Sequence, residues 1–235
     1  MFGACKPPWV RKEDFLRTPF NYCDLWCERC QFRHICRVFQ REQKSKEAGI
    51  KQDKDPNSLD YVFETVRENL EETAKLLKKD AQKWGIDLDE IEDSDCQLLP
   101  EPEEFPLYNL AFKFSQKLER LADDLRLVPE GADEYLILEG IKVISHYQSL
   151  IPPKVYRALT SKAEEEEEKK MGIYVLDAET SAFIVIRGLL AVAEVLKNLA
   201  CHRPLGVLRK NCFRLAKISL KLAEMIDWEF NLGII

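Results

Sequence analysis

The sequence predicts an all-α protein: a helical bundle of five or six helices with a small cysteine-rich, metal-binding N-terminal extension. Apolar residues recur at three- and four-residue steps through long stretches, and nothing alternates with period two for long. A composition of 46% hydrophobic and 32% charged residues, with only 11 Pro and 9 Gly in 235, supports a packed core and excludes collagen-like and Pro/Gly-rich disordered chains. Charge is uneven, net +4 over residues 1–56 and −10 over residues 57–130 within a total of −6. That contrast predicts a head and linker over 1–56 and a helical bundle over 57–235.

The head ends in a short helix from Cys36 to about Ala48, and residues 51–58 are the linker. Asn57 or Ser58 then caps a long helix whose stripe is Leu59, Val62, Phe63, Val66, Leu70, Ala74, Leu77 and Ala81. It ends at Trp84-Gly85, where Gly suits the left-handed cap. Residues 86–104 are acidic and contain Pro, hence a loop. Leu107, Leu110, Phe114, Leu118 and Leu121 define a second helix over Phe105–Leu125, and Val128–Gly131 is a turn. A third helix spans Ala132–Leu150, with Leu136, Ile137, Ile141, Ile144 and Tyr147 inward.

Pro152-Pro153 breaks or kinks that helix, and another starts there. The acidic run 164–168 reads as a solvated helix end or mobile loop. Asp177 or Thr180 caps a helix through Leu199 that is apolar almost all round, which places it centrally among amphipathic neighbours. His202-Arg-Pro204 interrupts, and the last helix runs to about Trp228. The start has no apolar stretch of signal-peptide length, and Arg187 and Glu194 interrupt the most apolar segment, so no membrane association and a cytoplasmic location are expected.

Four of the eight cysteines, Cys23, Cys27, Cys30 and Cys36, lie within fourteen residues, with His34 inside the last interval. Thiolates are soft, charged donors suited to zinc and iron–sulfur clusters. A local cluster fits metal or redox chemistry better than a disulfide framework, which would spread its bridges over a small secreted domain. Zinc sites usually draw ligand pairs from separated knuckles, whereas close clustering is common around iron–sulfur centres, so a 4Fe–4S cluster is favoured slightly over zinc. His34 is a substitute ligand for one cysteine if zinc is bound. Arg29, Arg33, Arg37 and Arg41 flank the cluster, where cations offset thiolate charge. Trp26, Phe32 and Tyr22 are placed to shield it.

Cys23-x3-Cys27-x2-Cys30 is similar to the three-cysteine motif of radical S-adenosylmethionine enzymes, but that family needs a β/α barrel that helical text does not supply. Cys27-x2-Cys30-x-Phe32-x3-Cys36-Arg37 resembles the cysteine stretch of iron–sulfur nucleases of the Cas4 and AddB type, which implies a 4Fe–4S cluster. Cys23 would replace that family's distant upstream ligand, and its nuclease core has no counterpart before Cys23. The whole N-terminal phrase resembles the opening of uncharacterised bacterial proteins with a cysteine-rich head and a helical remainder.

Other chemistry is sparser. No Glu-x-x-His pair exists for a di-iron bundle, because Gln31, Val143 and Leu199 precede the three histidines by three residues. No phosphate loop, G-x-S-x-G elbow or H-E-x-x-H occurs. Cys201 and His202 are adjacent, and adjacent helical residues point apart. Glu139, His146, Asp177 and Arg187 could converge in a bundle pocket, with Glu139 or Asp177 as acid/base and Arg187 as anion clamp. More simply, a neighbouring carboxylate neutralises Arg187, and Asp177 is an N-cap.

The last helix places Arg209, Lys210, Arg214, Lys217 and Lys221 opposite an apolar face, a basic stripe within reach of nucleic acid. A pI near 5.4 argues against general nucleic-acid binding, and a protein partner is expected instead. The expectation is a metal-binding redox, sensing or interaction module. The alternatives are an enzyme using the bundle pocket, or a regulator with a structural zinc knuckle.

Overall fold

Helix boundaries fall where local chemistry stops the backbone ladder. The computed structural model describes residues 3–88, 100–128, 133–170 and 177–235, and among them it is all-helical. The described residues form seven α-helices: α1 (Lys12–Arg17), α2 (Arg37–Lys51), α3 (Leu59–Trp84), α4 (Pro106–Arg126), α5 (Glu134–Lys170), α6 (Asp177–Cys201) and α7 (Leu208–Phe230). The Ser58 hydroxyl accepts the Tyr61 N–H at the start of α3, and Gly85 closes that helix at φ 70°. Proline at the first position starts α4, where its missing N–H is harmless. No described helix is long and apolar enough to cross a membrane.

The chain divides into two compact units, Met1–Phe32 with Pro100–Ile235, and Arg33–Leu99. This division differs from the one expected at residue 57, since the segment before Arg33 joins the bundle and α3 does not. The bundle proper is therefore four helices, α4–α7, with the N-terminal segment attached. In it α6 packs against α5 and α7, and α4 against the same two. Helix α6 is central as expected: Ala182, Ile186, Leu189, Val192, Leu196 and Leu199 are fully buried. Phe114, Leu118, Leu121 and Leu125 of α4 face the same core, as do Ile144, Tyr147 and Ile151 of α5. Of the stripe expected on α4, Leu110 is exposed and Leu107 half-buried.

The second unit corrects the reading of α3. Its helix forms where expected, but of the stripe only Ala81 is buried. Helix α2 lies instead against the polar side, where Arg41 reaches Asn69 and Glu72 at 2.7 and 2.8 Å and Tyr61 donates to the Ser45 carbonyl.

Pro152 and Pro153 do not break the chain. They lie inside one helix, α5, of 37 residues. Proline at 152 leaves the Gln148 carbonyl without its usual N–H donor. The Ser115 hydroxyl of α4 supplies one, at 2.7 Å. A neighbouring helix thus satisfies the acceptor that proline orphans, which the local sequence could not reveal. The backbone of α5 continues through the acidic run to Lys170. The expected turn at residues 129–131 and most of the acidic loop, residues 89–99, lie outside the described residues.

Replacing Ser115 with Ala is expected to lower the unfolding free energy by about 1 kcal/mol, because a half-buried acceptor loses its donor. In a Pro152→Ala background the loss should shrink, since the restored N–H serves the same carbonyl. Urea midpoints of the four proteins in the cycle check this.

Candidate functional site: the cysteine-bearing arm

Asp24 lies between Cys23 and Cys27 and is 2% exposed. Its carboxylate accepts the Trp26 N–H at 3.1 Å, an Asx turn that carries Leu25 into the left-handed region at φ 62°. It also accepts the Gly3 N–H at 2.9 and 3.1 Å, and the Tyr147 hydroxyl of α5 donates to it at 2.6 Å. One buried carboxylate therefore ties the chain start, the cysteine turn and the bundle core together. Burial first, then the Asp24 charge and hydrogen bond, raise the Tyr147 pKa far above the ordinary tyrosine value. Gly188 makes room for that ring, since a Cβ there would meet Tyr147 Cδ1 at 2.6 Å.

The turn projects Trp26 into the bundle core. The expected shield of the cysteines is thus a peg into α5: the His146 ring stacks on Trp26 at 4.3 Å, and His146 Nε2 donates to the Asp24 carbonyl at 2.8 Å. The Arg29 guanidinium covers Trp26 at 4.3 Å and pairs with Glu139 at 2.5 Å. The hydrogen bond from Lys142, and that from Arg29, hold the Glu139 carboxyl below the ordinary glutamate range. Arg187 donates to the Gly3 carbonyl at 3.1 Å.

Three of the four residues expected in a bundle pocket, Glu139, His146 and Arg187, thus meet the arm, where each makes an anchoring contact. Asp177 goes elsewhere. It is the first described residue of α6, and its carboxylate takes a bidentate pair from Arg157, at 2.7 and 3.1 Å, and the Ser161 hydroxyl at 3.0 Å. Asp177 and Arg157 border a polar cavity of about 380 Å³ lined also by Asn21, Tyr22, Lys154, Thr180 and Ser181. Burial, and then the Arg157 charge, lower the Lys154 pKa, while Asp177 and Cys23 oppose that.

The cysteines sit on irregular backbone. Cys23 follows the 3₁₀ turn Pro19–Tyr22, and Cys27 opens the 3₁₀ turn Cys27–Arg29 that Cys30 ends. The Cys23 thiol donates to the Phe20 carbonyl at 3.3 Å, and Cys30 Sγ accepts the Ala4 N–H at 3.3 Å. Gly3, at φ 83°, allows this approach, because a Cβ there would lie 2.5 Å from Cys30 Cβ. The backbone bond from Cys5 N–H to the Tyr22 carbonyl, 3.1 Å, lays the chain start beside the same turn. Tyr22, Phe32, Cys23 and Cys30 pack around Phe15, Val10 and Ala4.

Cys36, buried, is the N-cap of α2 in the other unit, where His34 is exposed. None of the seven described cysteines is joined in a disulfide. Among the described residues no three His, Cys, Asp or Glu side chains come together in a group able to hold a metal ion. The remaining thiols lie apart from the arm: Cys201 is exposed, and burial pushes the Cys212 thiol up to about 11. The five cations of α7 are exposed, as the basic stripe predicts, and Arg209 caps the Ala200 carbonyl at 2.8 Å.

The fold and site define an all-helical bundle with a cysteine-bearing arm strapped across it. Comparison with known protein families, curated proteins and solved structures gives no match, so function is argued from this geometry. Sequence reasoning placed Tyr147 inward, as found, but missed Asp24 and the bond between them. An Asp two residues before a tryptophan amide is a turn signal, but nothing local marks its burial.

The stability that the Tyr147 proton contributes is complete below about pH 10 and is lost as pH rises beyond it, because the folded-state value lies above the unfolded one. Urea midpoints between about pH 9 and about pH 11 should fall more steeply for the wild type than for Tyr147→Phe. At neutral pH Tyr147→Phe should itself cost about 2 kcal/mol, since a buried carboxylate loses a donor.

Proposed function

We propose that the arm binds a thiolate-ligated metal centre and that the protein acts as a redox, sensing or interaction module built on a helical scaffold. The single observation that carries this reading is the density of four cysteines in fourteen residues. Cys23, Cys27 and Cys30 would donate from the strapped turn, with Cys36 the fourth by sequence spacing and His34 its substitute for zinc. A 4Fe–4S cluster is favoured slightly over zinc, because the donors come from one continuous stretch.

The donor set suits such a centre in its chemistry: the three thiols on the turn are unbridged and half-buried. They are not gathered around one point as folded here, so loading would draw them inward on the short turns that hold them. The anchors at Asp24 and Arg29 fix the backbone on either side of Cys27, which confines that movement to the turn. The bundle's part is to present the loaded arm to a protein partner.

Protein prepared without oxygen should contain iron and sulfide and absorb near about 400 nm, or, in the zinc case, remain colourless with stoichiometric zinc. Cys27→Ser and Cys30→Ser should each abolish loading while leaving the helical melt of the bundle in place. Full metal content in both variants, or none in the wild type after reconstitution with either metal, would sink the reading.

A further inference from the structure

Helix α3 carries an apolar seam that its own unit leaves open. Phe63, Leu70, Leu77 and Trp84 recur every seven residues and are 67%, 65%, 60% and 74% exposed. Leu59 and Val66 occupy the alternate seam positions before and after Phe63 and are 72% and 47% exposed. At about 100° per residue these six side chains lie on one side of the helix. Of the residues that α2 touches, Tyr61 and Glu72 lie on the other and Asn69 on the flank. Gly49 brings α2 close on that polar side, where a Cβ would stand 2.8 Å from Tyr61 Cζ. The hairpin therefore satisfies the polar face and leaves uncovered a heptad seam 26 residues long, about 39 Å. A seven-residue apolar repeat is the pattern by which one helix packs against another with knobs in holes.

The charges say which helix. Residues 59–72 hold Asp60, Glu64, Glu68, Glu71 and Glu72 against Arg67. Glu64 and Glu72 are already paired with Lys54 and Arg41, which leaves this end net acidic. Residues 73–84 hold Lys75, Lys78, Lys79 and Lys83 against Asp80. A second copy laid antiparallel sets each acidic end on a basic one, whereas a parallel copy opposes like charges at both ends. Under the same two-fold arrangement Leu59 faces Trp84, Val66 faces Leu77, Leu70 faces Thr73 and Phe63 faces Asp80 of the other copy, so each large seam residue meets a different residue.

We infer that the exposed seam of α3 is a self-association surface that pairs antiparallel with α3 of a second copy of this chain. Light scattering and sedimentation of the full chain at up to about 100 µM should give twice the 27.4 kDa monomer mass, dissociating on dilution. Raising sodium chloride from about 50 to about 500 mM should weaken the dimer about tenfold, because opposite charges face one another. Phe63→Glu with Leu70→Glu should weaken it at least about 100-fold with unchanged helix content by circular dichroism, since both sites are solvent-exposed in the monomer. A wild type that stays monomeric at the highest concentration, a dimer indifferent to the double substitution, or one tightened by salt would each overturn the inference. The wild-type mass decides the first of these without any variant.

Discussion

The buried Asp24 carboxylate ties the N-terminal segment to the bundle. A charge removed from water is tolerated only when its lone pairs are filled, and here two backbone amides and a tyrosine hydroxyl fill them. Each donor comes from a different place: the chain start, the residue two along, and the middle of α5. Satisfying one carboxylate therefore fixes three segments at once. The Leu25 backbone, the entry of Trp26 into the core and the approach of Gly3 to Cys30 all follow from that requirement. Tyr147 can donate only because Gly188 leaves space for its ring on α6. The arm is thus held by polar satisfaction against a mainly apolar core.

This has a consequence for the cysteines. Around them the backbone is pinned by Asp24 and by the Arg29–Glu139 pair, while their own segments are 3₁₀ turns with few regular hydrogen bonds. A pinned frame thus carries Cys23, Cys27 and Cys30 on short irregular turns. The same contacts reassign Glu139, His146 and Arg187. A carboxylate, an imidazole and a guanidinium on facing helices resemble a catalytic set, yet each makes a hydrogen bond to the arm.

The two units bury apolar surface in opposite ways. Helices α4–α7 close an apolar core around α6, where the surrounding stripes find one another. The α2–α3 hairpin is joined through tyrosine, arginine and a glycine contact, and it leaves its apolar stripe facing out. Large exposed apolar surface is uncommon on soluble chains without a binding role, and the seven-residue spacing gives this one a helical complement.

The sequence alone determined the helical class, the position of nearly every helix and the central place of α6. Those features rest on local periodicity, capping chemistry and apolar content, which are written residue by residue. It determined equally that four cysteines crowd one stretch. What only the tertiary structure decided was which faces meet. The stripe of α3 was legible, but its exposure was not, because α2 could have met either side. Pro152 reads locally as a break, yet a hydroxyl from α4 satisfies the carbonyl it orphans and the helix runs on. Asp24 and Tyr147 are 123 residues apart, and no local pattern links them. Burial of a charge is a property of everything packed around it, and that is assembled only when the chain folds.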